Sequence, residues 1–295
     1  MEIHRTLEAP DGASLGYRLW RGSAAPRRLI VLLHGVASNM TRWSEFVEFT
    51  TLKESWDILR LDLRGHGESF WRGALRLERW CEDLSHILDA EQCEQALLIG
   101  HSLGAQVAVQ FAARFPARVR GLVLIDPVFH EALRGALRTA NRLKPAIRLL
   151  IGSIRLLNAL GLRRRRIPNR DLRRLDEATR AKLLNLGKQE EMIALYSSPW
   201  EDIKYFPTAS FLQELLEMVR PLPQLASLPM PILALLSTGI TYTDPAVTRR
   251  ILATHPQTEI VSIDAYHWPL TEKPVLVRAA IERGCERLPP RIYNF

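Results

Sequence analysis

Short runs of apolar residues alternate along the chain with segments whose apolar residues recur at helical spacing. A continuous run of five or six apolar residues is typical of a strand covered on both faces, whereas recurrence every three or four residues is typical of a helix with one buried side. Two stretches near the beginning, residues 2–7 and 14–20, alternate apolar and polar residues instead. The Pro10-Asp11-Gly12 turn between them predicts a β-hairpin of two edge strands.

The order of these segments predicts the fold class. Further strands are predicted at residues 28–33, 56–63, 96–99, 119–125, 231–236 and 259–263. Helices are predicted at residues 41–52, 77–90, 105–115, 244–254 and 274–286. Because strands and helices alternate, we expect an α/β fold with a mostly parallel, helix-flanked sheet.

The strand pattern stops between residues 127 and 228. Helical spacing continues there, at residues 133–143, 146–160, 178–196 and 209–219. Prolines interrupt the segment, and it ends in Pro221-Leu222-Pro223, as is common where an insertion rejoins its host. We therefore expect one α/β core built from residues 1–126 and 229–295, with residues 127–228 forming an inserted helical lid.

The composition fits a globular protein with a large core. The chain has 295 residues, of which 47% are hydrophobic, enough for one complete α/β core and an excursion. No apolar stretch approaches the roughly 18 residues of a spanning helix, and the first residues lack the apolar core of a secretory signal. We expect a soluble, cytoplasmic protein. Cys81, Cys93 and Cys285 lack metal-ligand spacing and are expected to be reduced structural thiols.

A G-x-S-x-G sequence occupies residues 100–104, between a predicted strand and a predicted helix. Glycines at both ends leave room for a tight turn, so that Ser102 can take a strained conformation with its hydroxyl presented at the top of a sheet. Such a turn is a nucleophile elbow. The motif also occurs by chance, and the alternative is a glycine-flanked serine in an ordinary loop. The flanking strand and helix favour the elbow.

Three further segments follow predicted strands and match the elbow in order and approximate spacing. They are His34-Gly35-Val36, residues 62–69 with the sequence DLRGHGES, and residues 265–269 with the sequence AYHWP. Together these segments resemble the α/β-hydrolase fold family, in its serine-nucleophile, esterase- or lipase-like branch. The resemblance implies Ser102 as nucleophile, His267 as general base, and the backbone N–H groups of Val36 and Leu103 as oxyanion hole. No metal ion or organic cofactor is called for.

The histidines of these segments have a second interpretation. His267 could be a packed histidine between two aromatic neighbours, although its place after the last strand favours the general base. His34 is expected to shape the oxyanion loop. His66 and His101 are expected to pack or hydrogen-bond around the elbow rather than to transfer protons.

The acid that would orient His267 is not at the family's usual place. By spacing that place falls on Ile240, which cannot orient an imidazole. Asp126 ends the strand 119–125 and would face the same cleft as Ser102, as in family branches that include the haloalkane dehalogenases. Asp244 precedes a proline at a helix start and is better explained as an N-cap. We predict Asp126 as the acid; the alternatives are that it merely ends the strand and that Asp244 is the acid.

The surplus of positive charge lies in the predicted lid. The net charge is +8, and residues 127–228 hold 18 Lys or Arg against 10 Asp or Glu, so the remainder is balanced. Residues 134–174 alone hold 13 basic residues and one acid, interleaved with leucines and isoleucines. This pattern suits an anionic membrane surface as partner. The alternative is that the apolar stripe packs on the mouth of the active site and the arginines are solvated; no motif indicates nucleic acid.

These features predict an enzyme rather than a binding module. A lid of leucine, isoleucine and alanine above Ser102 would make an apolar pocket, so we expect hydrolysis of a hydrophobic carboxylic ester through an acyl-Ser102 intermediate. Thioester hydrolysis, perhydrolysis and carbon–carbon bond hydrolysis use similar residues. Dehalogenase and epoxide-hydrolase chemistry is disfavoured, because those branches need aspartate in place of Ser102. The isoleucine at position 240 motivates the remaining alternative, a non-catalytic binding protein on a hydrolase scaffold.

Overall fold

The computed structural model describes residues 2–23 and 28–287, and a sheet of eight strands lies at its centre. The strands are β1 (Glu2–Glu8), β2 (Ser14–Trp20), β3 (Leu29–Leu33), β4 (Asp57–Leu61), β5 (Ala96–His101), β6 (Val119–Ile125), β7 (Ile232–Ser237) and β8 (Thr258–Ile263). Their order across the sheet is β1-β2-β4-β3-β5-β6-β7-β8. Only the β1–β2 and β2–β4 pairs are antiparallel. The predicted α/β class with a mostly parallel sheet is confirmed.

The two N-terminal strands form the predicted hairpin, but only β1 lies at the edge of the described sheet. Tyr17 in β2 pairs with Arg5 of β1 on one side and with Leu61 of β4 on the other. The prediction that both are edge strands is therefore wrong for β2. Alternation reports that one face of a strand is covered by the core; it carries no information on whether both backbone edges are paired.

Twelve α-helices lie in the described part of the chain, and those outside the insertion cover both faces of the sheet. They are α1 (Ser44–Phe49), α2 (Leu77–Ala90), α3 (Leu103–Arg114), α4 (Gly135–Arg142), α5 (Lys144–Ala159), α6 (Leu172–Lys182), α7 (Gln189–Tyr196), α8 (Pro199–Tyr205), α9 (Thr208–Met218), α10 (Pro245–Leu252), α11 (Pro269–Glu272) and α12 (Pro274–Glu286).

Alternate residues of β3 show how both faces are used. Val31 and Leu33 belong to the core cluster shared with α2 and α3, whereas Ile30 and Leu32 belong to the cluster shared with α1 and α12. Every residue of β3 is therefore buried. This explains why the central strands appear in the sequence as continuous apolar runs rather than as alternating patterns.

The connection from β6 to β7 carries helices α4 to α9, and the structure, which describes residues 126–231 in full, contains no named strand there. The helix predicted at 178–196 is instead two helices, α6 and α7, separated at Gly187, whose φ of +70° is left-handed and ends the helical path. Helix α8 was not predicted, because Pro199 was interpreted as a breaker. It is the first residue of α8, where a proline needs no hydrogen bond, and Ser198 caps the helix.

The length of the helices and the range of the described residues complete the description of the fold. Among the described residues, no helix is both long and apolar enough to cross a bilayer. Residues 24–27 and 288–295, which the sequence places in the core, lie outside the described residues.

Candidate active site

Ser102 lies in a tight turn between β5 and α3. Its backbone has φ +52° and ψ −113°, a conformation that residues other than glycine rarely adopt. The two glycines of the motif are sterically required for this turn. A Cβ at Gly100 would lie 2.3 Å from the carbonyl oxygen of Gly104, and a Cβ at Gly104 would lie 2.3 Å from that of Leu33. The strand, the turn and the neighbouring strand β3 therefore approach each other at distances that only glycine allows.

His267 is brought to Ser102 by the loop after β8. Its Nε2 atom lies 2.9 Å from Oγ of Ser102. The main chain of this loop is held on both sides: His101 donates from Nε2 to the carbonyl oxygen of His267 at 2.8 Å, and the N–H of Tyr266 donates to Glu272 at 2.9 Å. These contacts fix the backbone that carries the imidazole.

Asp126 follows β6 and faces His267 from the other side. One of its carboxylate oxygens accepts from the backbone N–H of Ser237 at 2.7 Å, and the other accepts from the hydroxyl of the same residue at 2.5 Å. The second oxygen also lies 3.9 Å from Nδ1 of His267, which is too long for a hydrogen bond. The structure therefore places His267 between Ser102 and Asp126. Its contact with Ser102 has the length of a hydrogen bond, and its contact with Asp126 is longer.

The other candidate carboxylate has a structural use. Asp244 caps α10 by accepting from the N–H groups of Ala246 and Val247, and it forms an ion pair with Arg134. Ile240, at the usual place of the acid, is 65% exposed. Neither residue makes a recorded contact with His267 in the described part of the chain.

Burial moves the pKa values of the facing pair in opposite directions. Desolvation raises the pKa of Asp126 to about 7, although its hydrogen bonds from Ser237 oppose the rise. Desolvation, and then the neighbouring His101, lower the pKa of His267 well below its usual value. At neutral pH the imidazole is therefore uncharged and able to accept a proton, while the carboxyl beside it titrates in the same range.

Two backbone N–H groups lie on segments next to Ser102. Those of Val36 and Leu103 donate to no recorded partner among the described residues. Leu103 opens α3, where backbone N–H groups have no partner within the helix and the helix dipole favours negative charge. Gly35 lies against the turn, since a Cβ there would be 3.4 Å from Cβ of Ser102. The N–H of Leu103 therefore directly follows Ser102 in the chain, and the N–H of Val36 belongs to the loop that contacts the turn.

The loop that carries Val36 is held by a buried histidine. His34 donates from Nδ1 to the carbonyl oxygen of Gly35 at 2.8 Å and accepts at Nε2 from the N–H of Leu63 at 3.0 Å. One nitrogen donates and the other accepts, so this ring is neutral, and burial lowers its pKa accordingly. His66 packs edge-on against it, with ring centroids 4.6 Å apart.

A cavity of about 140 Å³ opens in front of Ser102. One wall is apolar and comes from α4 and α9: Ala136, Leu137, Ala140, Phe211, Leu215 and Met218. The sequence predicted this wall, but it missed a polar side formed by Arg42, Tyr196, Ser197 and Asp202. Arg42 is ion-paired with the buried Asp176, and burial raises the pKa of Asp202 to about 7.

No signal in the sequence marked the polar side. Arg42 and Asp176 are 134 positions apart, and neither belongs to a motif. Among the described residues, no group of three or more His, Cys, Asp or Glu side chains is arranged to hold a metal ion.

Comparison with known proteins places the chain in a family. The model of the α/β hydrolase fold family matches residues 28–274, and the chain belongs to that family. A solved esterase from Thermogutta terrifontis shares the fold with a TM-score of 0.65 and 23% identity, over 98% of this chain and 99% of that one. A hydrolase from Pseudomonas aeruginosa has a TM-score of 0.67 and 24% identity, over 94% and 96% of the two chains.

Curated relatives match over shorter stretches. An uncharacterised protein of Mycobacterium tuberculosis is 32% identical over 112 residues, which are 38% of this chain and 32% of that protein. A putative esterase/lipase of Haemophilus influenzae is 30% identical over 98 residues, 33% of each chain. A putative non-heme haloperoxidase of Mycobacterium phage D29 is 30% identical over 164 residues, 50% of this chain and 56% of that one. The matched region spans about a third to a little over half of these relatives.

The interlocked glycines make a stability prediction. Gly104→Ala should lower the free energy of unfolding by about 1–3 kcal/mol, because the new Cβ meets backbone atoms that cannot rotate away. Gly152→Ala is the matched control, since a Cβ there meets nothing within 4 Å and alanine favours a helix; it should be neutral or stabilising by up to about 1 kcal/mol. Chemical denaturation of both variants checks this, and equal stability would contradict the steric account of the turn.

Proposed function

We propose that the protein is a serine hydrolase that cleaves carboxylic esters with a hydrophobic acyl group. The observation that carries this proposal is the 2.9 Å contact between Oγ of Ser102 and Nε2 of His267, at a strained turn beside two backbone N–H groups without recorded partners. A serine hydroxyl is a weak nucleophile unless a neutral base takes its proton, and the lowered pKa of His267 supplies such a base.

The proposed reaction proceeds in two halves. Ser102 attacks the ester carbonyl while His267 takes the hydroxyl proton at Nε2, and the resulting oxyanion accepts hydrogen bonds from the N–H groups of Val36 and Leu103. The imidazolium then gives its proton to the departing alkoxide, which leaves as an alcohol and an acyl-Ser102. Water, deprotonated by the same imidazole, attacks the acyl group and releases the carboxylic acid and free Ser102.

Asp126 has the role of stabilising the imidazolium. Its carboxylate faces Nδ1 of His267 at 3.9 Å, a distance at which opposite charges still attract in a buried site. Catalytic hydrogen bonds are often long in a free enzyme and shorten when the charged intermediate forms. The same carboxylate oxygen accepts a hydrogen bond from the hydroxyl of Ser237. A movement of this oxygen by about 1 Å towards Nδ1 of His267 would bring the two atoms to hydrogen-bond distance.

The cavity and the relatives support the substrate class. The apolar wall from α4 and α9 suits an acyl chain, and the polar side with Arg42 and Tyr196 suits the oxygen-bearing part of an ester or its leaving group. The Haemophilus relative is named a putative esterase/lipase and the Thermogutta neighbour an esterase. The phage relative is named a putative haloperoxidase, which favours perhydrolysis, the attack of hydrogen peroxide on the same acyl-serine, as a second candidate.

The first prediction concerns the nucleophile. The protein should hydrolyse p-nitrophenyl esters of increasing acyl length, and Ser102→Ala should lower kcat by about six orders of magnitude or to background, because the acyl intermediate cannot form. A fluorophosphonate probe should label the protein but not this variant. The control is Ser153→Ala, which removes an exposed hydroxyl of α5 and should leave both readouts unchanged.

Three outcomes separate the alternatives. Activity or labelling that persists in Ser102→Ala would overturn the nucleophile. Silence of the wild-type protein towards esters, thioesters and the probe would favour a binding protein. Faster turnover when hydrogen peroxide replaces water as acyl acceptor would favour perhydrolysis over ester hydrolysis.

The second prediction concerns the acid. Because the pKa of Asp126 is raised to about 7, its carboxylate is lost as the pH falls through that value, and kcat/KM should fall with it. Asp126→Asn should lower kcat by up to about four orders of magnitude. It should also move the acid limb below pH 6.5, because His267, whose pKa burial lowers, then sets the limb.

The matched control is Asp244→Asn, which keeps a capping side chain and should change kcat by less than about twofold. The measurement is the pH profile of kcat/KM for an alkyl ester, with product quantified by chromatography. A large loss in Asp244→Asn with little change in Asp126→Asn would reverse the assignment, and an unmoved acid limb in Asp126→Asn would refute the titration of Asp126.

A further inference from the structure

Helix α5 has apolar residues on two opposite faces. The inner face carries Ile151, which is buried, and this side of the helix packs on α9. The outer face carries five exposed leucines within an arc of about 120° of the helix. This outer leucine face consists of Leu149, Leu150, Leu156, Leu157 and Leu160. A helix that is apolar on both sides is normally covered on both sides.

The outer leucine face is open to solvent in the chain as described. Leu149 is 74% exposed, Leu156 is 64% exposed and Leu160 is 71% exposed. No residue of α5, which the structure describes in full, lines the cavity at Ser102. The alternative that this stripe packs on the mouth of the active site is therefore wrong for these leucines. An apolar face of this length indicates an apolar partner.

Exposed arginines flank the outer leucine face in the sequence. Residues 134–174 hold 13 basic side chains and one acid. Several of the basic side chains are used within the fold, as in the ion pairs of Arg134 and Arg173. Seven exposed ones have no recorded carboxylate partner among the described residues: Arg138, Arg142, Arg148, Arg163, Arg164, Arg165 and Arg166. Of these, Arg164 donates to the backbone carbonyl oxygens of Lys204 and Phe206. Arg163, Arg165 and Arg166 follow Leu160 within six residues, so exposed leucines and unpaired arginines are adjacent at the end of α5.

We propose that this surface, the outer leucine face with the arginines that flank it, docks on a membrane of anionic phospholipid. The leucines enter the boundary between head groups and acyl chains, with α5 lying in the plane of the membrane, and the arginines bind lipid phosphates. Arg163 to Arg166 directly follow the last turn of α5 and Leu162, so they lie at the level of the head groups when the leucines are inserted. The leucines and the arginines then bind the same partner, the lipid membrane.

A second copy of the chain fits this surface less well. Pairing two outer leucine faces would bury the apolar area, but it would also bring two sets of unpaired arginines together, and like charges in contact are unfavourable. An anionic membrane satisfies both the leucines and the arginines. Charge complementarity therefore selects the lipid surface, and self-association becomes an outcome of the test.

The test is co-sedimentation of the full chain with vesicles. Binding to vesicles of phosphatidylcholine with phosphatidylglycerol should exceed binding to pure phosphatidylcholine and should weaken as salt is added. The triple variant Leu149→Ser, Leu156→Ser, Leu160→Ser should bind anionic vesicles about tenfold more weakly or worse. The triple variant Arg163→Gln, Arg165→Gln, Arg166→Gln should also bind more weakly and lose most of the salt dependence.

The matched control is Val275→Ser with Leu276→Ser, which removes exposed apolar side chains from α12 and should leave vesicle binding unchanged. Circular dichroism of every variant checks the fold, independently of any enzymatic activity. Equal binding to neutral and anionic vesicles, or binding that survives the leucine variant, would overturn the proposal. So would a dimer in analytical ultracentrifugation that the leucine variant converts to monomer, because the face would then be an interface between copies.

Discussion

The close approach of three backbone segments at Gly100, Gly104 and Leu33 is the constraint on which the site depends. A Cβ at either glycine would lie 2.3 Å from a carbonyl oxygen, so β5, α3 and β3 approach each other this closely only because both positions are glycine. The chain must then reverse within one residue, which is why Ser102 has a positive φ. Because the turn is fixed by backbone contacts, the hydroxyl has one direction, and the loops that carry His267 and Val36 are positioned relative to it.

Buried polar side chains stabilise the loops around that turn by hydrogen bonds. His34, His101 and Glu272 each bond to main-chain atoms of a loop that reaches Ser102. Burial keeps His34 and His101 uncharged, since desolvation lowers the pKa of both. Neutral rings of this kind hold loop geometry without placing a competing positive charge beside the imidazole of His267. The cluster of histidines is therefore mainly architectural, as their positions in the sequence suggested.

The sequence predicted the parts of the structure that depend on local patterns. Continuous apolar runs marked β3 to β7 because each strand is covered on both faces, and G-x-S-x-G marked the turn because its geometry is local. Predictions failed where the outcome depends on contacts between distant segments. Pairing of β2 with β4 and the Arg42–Asp176 pair in the cavity are of this kind. The 3.9 Å gap between Asp126 and His267 was likewise beyond pattern analysis. The start of α8 is different, because a local signal, Ser198 followed by Pro199, fits either a helix start or a helix break.

Asp126 occupies a junction as well as a place beside His267. It is the residue at which the chain leaves β6 towards α4, and its carboxyl accepts two hydrogen bonds from Ser237, the last residue of β7. One side chain therefore joins the carboxyl ends of two neighbouring parallel strands, β6 and β7, at the edge of the sheet where the segment carrying α4 to α9 begins. Because the backbone of Asp126 begins the segment that supplies the apolar wall of the cavity, a displacement of that segment at its start also displaces the carboxyl that faces the imidazole.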